Sequence, residues 1–319
     1  MATPATLKDT NLGRWPASKR QMGIGIMLPM AEHSSFGKPV QFKDMVDMAR
    51  VAEDAGIDTL WLMDHFFFRP PVADPGTEYG VWEAFTSAAA LLQATTKINV
   101  GTLVSCLGWR NPGLVAKMTE TLDEISQGRF ILGVGAGWHE PEYDGYGYPF
   151  DHRVSRFEDA IEIIAGLLRE GRVTHHGEYF SAHDGIIQPR GPLGATGGSP
   201  ILVGSSAPKM SRLMATYADA WNTGWHPTAE ELAPMIAAVD ETCKEVGRDP
   251  KTLVKTTGAN IRMNHYTGAR KNTIDGDNQA IADRLAQFRE QGFRHFVAGI
   301  DECTPTSIEQ LARIVELLD

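Results

Sequence analysis

Lys97-Ile-Asn-Val-Gly-Thr-Leu-Val104, a helical stretch from Asn111 to Gln127, and Arg129-Phe-Ile-Leu-Gly-Val134 form the passage that decides the fold. Both flanking runs are short, mostly apolar and rich in β-branched residues. The stretch between them has Pro112 in its first turn and stops at Gly128, as a helix should. Strands apolar on both faces belong to a parallel sheet whose crossovers lay helices over it. Working outward, the same unit recurs. Further runs are Met22-Gly-Ile-Gly-Ile-Met-Leu28, Thr59-Leu-Trp-Leu-Met63, Pro200-Ile-Leu-Val203, Ala220-Trp-Asn-Thr223, Leu253 to Arg262 and His295-Phe-Val-Ala-Gly-Ile300, making eight in all. Eight β/α units predict a single closed (β/α)8 TIM barrel over residues 22–319.

The helices are expected over Phe42 to Ala55, Trp82 to Thr95, Asn111 to Gln127, Ser155 to Glu170, Pro208 to Tyr217, Thr228 to Val246, Asn278 to Gln291 and Thr306 to Leu318. Between Arg172 and Ser199 the rhythm breaks, with several glycines, Pro189 and Pro192. This span, 172–199, reads as an insertion after the fourth β/α unit rather than as a second domain. Residues 1–21 offer no periodic apolar face and read as a flexible or surface-lying N-terminal arm.

Composition narrows the function classes. The 319 residues are 42% hydrophobic and 22% charged, which fits a globular chain with a large core and fits neither a membrane-embedded nor a disordered one. A net charge of -10 and a pI near 5.5 argue against nucleic acid or an anionic membrane as partner. Cys106, Cys243 and Cys303 are odd in number and lack CxxC or His spacing, so neither a disulfide framework nor a metal site is expected. The first residues carry no apolar targeting core, and no run approaches the roughly 18 residues of a membrane helix. The expected location is cytoplasmic.

In such a barrel the chemistry gathers where strands end at their carboxyl side. Asp64-His65 follows the second strand and is flanked by Phe66, Phe67 and Phe68. Here His65 would exchange a proton and Asp64 would orient it or bond a ligand; alternatively, Asp64 caps a turn and His65 packs among the phenylalanines. Ser105-Cys106-Leu107-Gly108-Trp109-Arg110 follows the third strand. Gly133-Val-Gly-Ala-Gly-Trp138-His139 ends the fourth, a glycine-rich turn that would let the backbone approach a planar ring or is simply tight. It matches a dinucleotide fingerprint only loosely. Gly204-Ser205-Ser206-Ala-Pro208-Lys209 links the fifth strand to a helix, where free N–H groups and the dipole would hold a phosphate or a serine would cap the helix. His139 and His226 each follow a tryptophan at a strand end. His152, His175, His176, His183 and His265 read as solvated or structural. Arg110, Arg153, Arg156, Lys209 and Arg262 could each pair with an anionic ligand, and none is singled out. No HExxH, EF-hand, Walker or GxSxG pattern occurs, which weighs against hydrolase and kinase readings.

Thr59-Leu-Trp-Leu-Met-Asp-His-Phe66, Lys97 to Val104 leading into Arg110-Asn-Pro112, Leu122 through Gly133-Val-Gly-Ala-Gly-Trp138, Glu142-Tyr143, Ser155-Arg-Phe157 and Tyr217-Ala-Asp-Ala-Trp-Asn222 together resemble the bacterial luciferase-like family of flavin or deazaflavin oxidoreductases. The resemblance implies FMN or coenzyme F420 at the carboxyl end of the strands. It implies Asp64 and His65 near the reactive ring, with His65 as proton donor or acceptor in a deazaflavin enzyme. Leu103, Val104, Ser105 and Cys106 would back the ring, where the family often has a non-proline cis peptide. Gly135, Gly137, Trp138 and His139 would flank the cofactor, and Gly204, Ser205 and Ser206 would hold its phosphate. One departure stands out: sugar-phosphate dehydrogenases of this family place a glutamate directly after the glycine run, where this chain has Trp138. That weighs against a sugar-phosphate substrate.

The resulting expectation is hydride transfer between coenzyme F420 and a small organic substrate, with His65 as acid/base and Asp64, His139 and His226 as further catalytic candidates. Alternatives are a reduced-FMN monooxygenase using O2 and a non-catalytic flavin-binding protein; the cofactor fixes the reaction class. Residues 70–80 and 172–199 are expected to line or cover the pocket. The resemblance also suggests a homodimer.

Overall fold

The computed structural model describes residues 13–32, 40–69, 78–204, 207–263 and 272–318. Eight parallel strands, Gly23–Met27, Thr59–Leu62, Asn99–Thr102, Phe130–Gly135, Ile201–Gly204, Ala220–Trp225, Val254–Arg262 and His295–Asp301, pair in chain order. The circle closes twice over the ends of the path: the fourth strand pairs with the fifth (Leu202 beside Gly133), and the eighth pairs with the first (Ala298 beside Ile26). This is the (β/α)8 barrel. Strands such as Phe130–Gly135 and His295–Asp301 are buried along their whole length, because helices cover one side and the barrel interior the other.

The helices form where the apolar spacing placed them. Helix α1 (Phe42–Asp54) buries Met45, Met48, Ala49 and Ala52 on one face, α2 spans Ala84–Ala94, and α3 spans Pro112–Ser126. Helix α3 starts with the Asn111 side chain accepting the Gly113 N–H and ends with Gln127 in the left-handed region. A short α4 (Glu140–Tyr146), not foreseen in the sequence, precedes α5 (Arg153–Glu170); α6 (Pro208–Tyr217), α7 (Ala233–Glu245), α8 (Asn278–Glu290) and α9 (Pro305–Glu316) complete the ring. Between α5 and the fifth strand, Arg172–His176 and Ser181–Ile186 form an antiparallel hairpin whose exposure alternates along its first strand.

The barrel floor corrects the reading of the N-terminal arm as flexible or surface-lying for residues 13–21; residues 1–12 lie outside the described residues. Trp15 is buried and stacks on Trp61 at 6.4 Å and edge-on against His295, the first residue of the last strand. Arg14 and Arg169 both bind Asp219, just ahead of the sixth strand. A lone tryptophan needs no helical period to be held by such contacts. Trp61 fills the lumen between Gly25 and Gly101, where an added Cβ would stand 2.5 Å from the indole, and donates its Nε1–H to His295 Nε2 at 2.9 Å. Burial pushes the His295 imidazole down to about 3.

Candidate active site

A cavity of about 460 Å³ opens at the carboxyl ends of the strands. Its wall brings together most of the residues singled out in the sequence: Asp64, His65, Leu103, Val104, Cys106, Gly135, Gly137, Trp138, His139 and Gly204. Ser105 is buried beside it without lining it, and its hydroxyl has no partner among the described residues. Ser205 and Ser206 lie outside the described residues. His226 is off the wall: its ring meets the Thr223 carbonyl at 3.3 Å, and the neighbouring Trp225 lines the cavity instead. The peptide bond between Leu103 and Val104 is cis. The hairpin at 172–186 does not border this cavity but a second one of about 430 Å³, with the start of α3 and part of α5, so the expectation that this span covers the site is corrected. Of residues 70–80, those from 70 to 77 lie outside the described residues, and Tyr79–Gly80 pairs with Phe67–Phe68.

The Asp64-His65 pair does not act as a dyad. Successive side chains leave a strand end in different directions, and each finds its own partner. Asp64 takes a bidentate bond from Arg110, at 2.6 and 2.9 Å, and accepts the Cys106 N–H. His65 turns to Glu142, whose Oε2 lies 2.8 Å from Nδ1. Glu142 is fully buried and its other oxygen accepts the N–H groups of Phe66 and Phe67. Nε2 of His65 has no hydrogen-bond partner among the described residues, and the ring lines the cavity.

His139 stands 6.0 Å from His65, centroid to centroid, and its Nε2 accepts the Arg69 N–H at 3.2 Å. Desolvation holds its pKa below the usual histidine value, against the opposing pull of Glu142. Cys106 meets the Tyr143 hydroxyl at 2.9 Å; that hydroxyl donates to the Ala136 carbonyl, so the thiol supplies the proton in the first contact. Burial pushes Cys106 up to about 11. A nucleophilic role for it is thereby disfavoured.

The glycine run has a reason other than ring access. A Cβ at Gly135 would lie 2.7 Å from Val104 Cγ2, and Gly137, at φ +78°, abuts the Tyr143 hydroxyl and the Cys106 sulfur. The protein's own side chains occupy those spaces. Gly204 at the end of the fifth strand, and Ala207 and Met210 at the start of α6, border the cavity together with Arg153. The Arg153 guanidinium donates to the Phe150 carbonyl and lies 3.5 Å over the Phe150 ring, with no carboxylate partner among the described residues.

Sequence reasoning gave Glu142 and Tyr143 no role in the site, and named Arg110 only among cations that could pair with an anionic ligand, whereas it pairs with Asp64. For Glu142 a signal existed: it falls three residues after His139, in the first turn of a helix that the sequence left as loop. Among the described residues no group of three or more His, Cys, Asp or Glu is placed to hold a metal ion, and no helix is long and apolar enough to cross a membrane.

A model of the luciferase-like monooxygenase family matches residues 22–265. The chain belongs to that family. Its relatives include the alkanal monooxygenase alpha chain of Photorhabdus luminescens, 26% identical over 72% of this chain and 60% of that protein. They also include an F420-dependent glucose-6-phosphate dehydrogenase of Microbacterium testaceum (strain StLB037), 32% identical over 86% of this chain and 84% of that protein. The match spans less than two thirds of the length of the alkanal monooxygenase relative. Among solved structures, an F420-dependent secondary alcohol dehydrogenase in complex with an F420-acetone adduct superposes with a TM-score of 0.76 at 20% identity, covering 94% of this chain and all of that one. At that identity the likeness speaks for the shared luciferase-like barrel alone.

Proposed function

We propose that this luciferase-like protein binds coenzyme F420 in the 460 Å³ cavity and transfers a hydride between it and a small organic substrate. The observation that carries the reading is His65: its ring lines the cavity, one nitrogen is held by a buried carboxylate and the other has no hydrogen-bond partner among the described residues. That is the arrangement a proton-exchanging group needs. The cavity suits a flat ring, with Leu103, Val104, Gly135 and Ala136 on its wall and the indoles of Trp109, Trp138 and Trp225 around it. F420, when bound, supplies the carbon that accepts or gives the hydride.

The remaining roles belong to the chain. Gly204 and the start of α6, with Arg153 on the same wall, would receive an anionic tail, and Ser205 and Ser206 belong to that loop. Asp64, fixed by Arg110, would accept a hydrogen bond from the ring system. His139, kept neutral by burial, presents a second imidazole beside His65. His65 Nε2 takes a proton from a substrate hydroxyl as it becomes a carbonyl, and returns it in the reverse direction. The same reading takes the chain as a cytoplasmic homodimer; sedimentation of the purified protein tests the dimer, and fractionation of producing cells tests the location.

A second reading keeps FMN and O2, favoured by the similarity to the alkanal monooxygenase alpha chain. Titration of the purified chain with FMN and with F420, followed by absorbance and fluorescence, separates the two. Saturable F420 binding is expected. Binding of FMN with no response to F420 overturns the first reading in favour of the second.

A further inference from the structure

We infer that Glu142 is the positioning residue that decides which nitrogen of His65 faces the cavity; its catalytic consequence rests on the proposed acid/base role of His65. Two backbone N–H donors and one imidazole nitrogen converge on this one carboxylate. Oε1 takes the backbone N–H groups of Phe66, at 2.5 Å, and Phe67, at 3.2 Å, which fixes the loop that carries His65. Oε2 is left for the imidazole, 2.8 Å from Nδ1. Loop anchoring and ring orientation therefore fall on separate oxygens of one side chain.

The proton between the two groups can be located. Oε1 already accepts two backbone N–H groups, as an ionised carboxylate oxygen does, which leaves Oε2 to accept the ring N–H. An ionised carboxylate only accepts. Neutral His65 is thus the Nδ1–H tautomer, with the Nε2 lone pair directed away from Glu142, where it has no partner among the described residues. An Nε2 lone pair can take the proton of a hydroxyl; an Nε2–H in the neutral ring cannot. Glu142 is fully buried, so water does not compete for either oxygen.

An amide in place of the carboxylate separates the two duties. With Glu142→Gln, the two backbone N–H groups claim the single carbonyl oxygen, which leaves the NH2 facing Nδ1. Nδ1 must then accept, and the ring proton moves to Nε2. The loop stays anchored while the tautomer inverts.

The test uses the chain labelled with 15N-histidine, free of cofactor, at a pH where the rings are neutral, with His65→Ala to assign the His65 signals. In the unsubstituted protein Nδ1 is expected to resonate as the protonated nitrogen and Nε2 as the bare one; the opposite pattern overturns the inference without any variant. Glu142→Gln should exchange the two signals. In turnover it should lower kcat/KM about 100-fold while cofactor affinity changes little. An unchanged tautomer in the variant, or an inverted tautomer with full turnover, overturns the positioning role. Absence of turnover in the unsubstituted protein with F420 would remove the reading of His65, and the nitrogen signals would still decide the assignment of Glu142.

Discussion

Arg110 grips Asp64 through both carboxylate oxygens, and the same carboxylate accepts the backbone N–H of Cys106, so one ion pair ties the loop after the second strand to the loop after the third. Both partners are largely buried, with side-chain exposures of 14% and 3%. Removing one partner leaves the other as an uncompensated buried charge. Arg110→Ala should cost about 3 kcal/mol in urea unfolding and weaken F420 binding. Unchanged stability and affinity would show that the pair is dispensable.

His65→Ala should lower turnover by about 100-fold or more, the usual range for loss of a general acid/base, while leaving the cofactor titration close to that of the unsubstituted chain. Full turnover in this variant would remove the acid/base assignment and leave the fold and the cavity untouched.

The three cysteines are all buried. Burial holds Cys106 near 11 and Cys303 near 12, so neither forms thiolate at neutral pH. A thiol reagent at pH 7.5 should therefore modify none of them in the folded chain and all three in urea. Rapid native labelling at Cys106 would contradict its hydrogen bond to Tyr143.

His295 makes stability depend on pH. Its folded value of about 3 lies below the unfolded value near 6.5. Between those values the unfolded chain binds a proton that the folded chain refuses, so this group lowers stability as pH falls from about 6.5 toward 3. The slope is about 1.4 kcal/mol per pH unit. His295→Gln, which keeps an acceptor for the Trp61 indole, should flatten that part of the unfolding profile. An identical slope in both proteins would refute the assignment.

Gly135→Ala places a Cβ 2.7 Å from Val104 Cγ2 on the cavity wall. The fold should survive, since the clash falls on one side chain at the mouth, and F420 affinity should drop about 10-fold, a loss near 1.4 kcal/mol. Circular dichroism with the cofactor titration measures both. Undiminished affinity would show that Val104 yields without disturbing the site.

What was legible in the sequence was whatever repeats. Eight apolar runs at strand length, separated by helical spacing, specify a barrel because each must be buried on both faces, and the strand ends then say where the cavity lies. Pairings over long sequence distance were not legible. Asp64 and His65 are adjacent in the chain, which invited reading them as one unit, whereas the fold gives His65 a partner 77 residues away. The glycine run was open to two readings, space for a ligand or a tight turn; Val104, Tyr143 and Cys106 fill part of that space. Trp15 carried no periodic signal, because a single plug residue has no period.

That plug has a kinetic consequence. With Trp15 and Trp61 packed under the lumen, the described residues close the floor, and ligands of the upper cavity are expected to enter at the strand ends. Two molecules sharing a one-door chamber pass in series: the one seated deeper enters first and leaves last. If the proposed cofactor takes the deeper seat, initial-rate patterns should be ordered, with the substrate as the second to bind and its product as the first to go; a random pattern would overturn this.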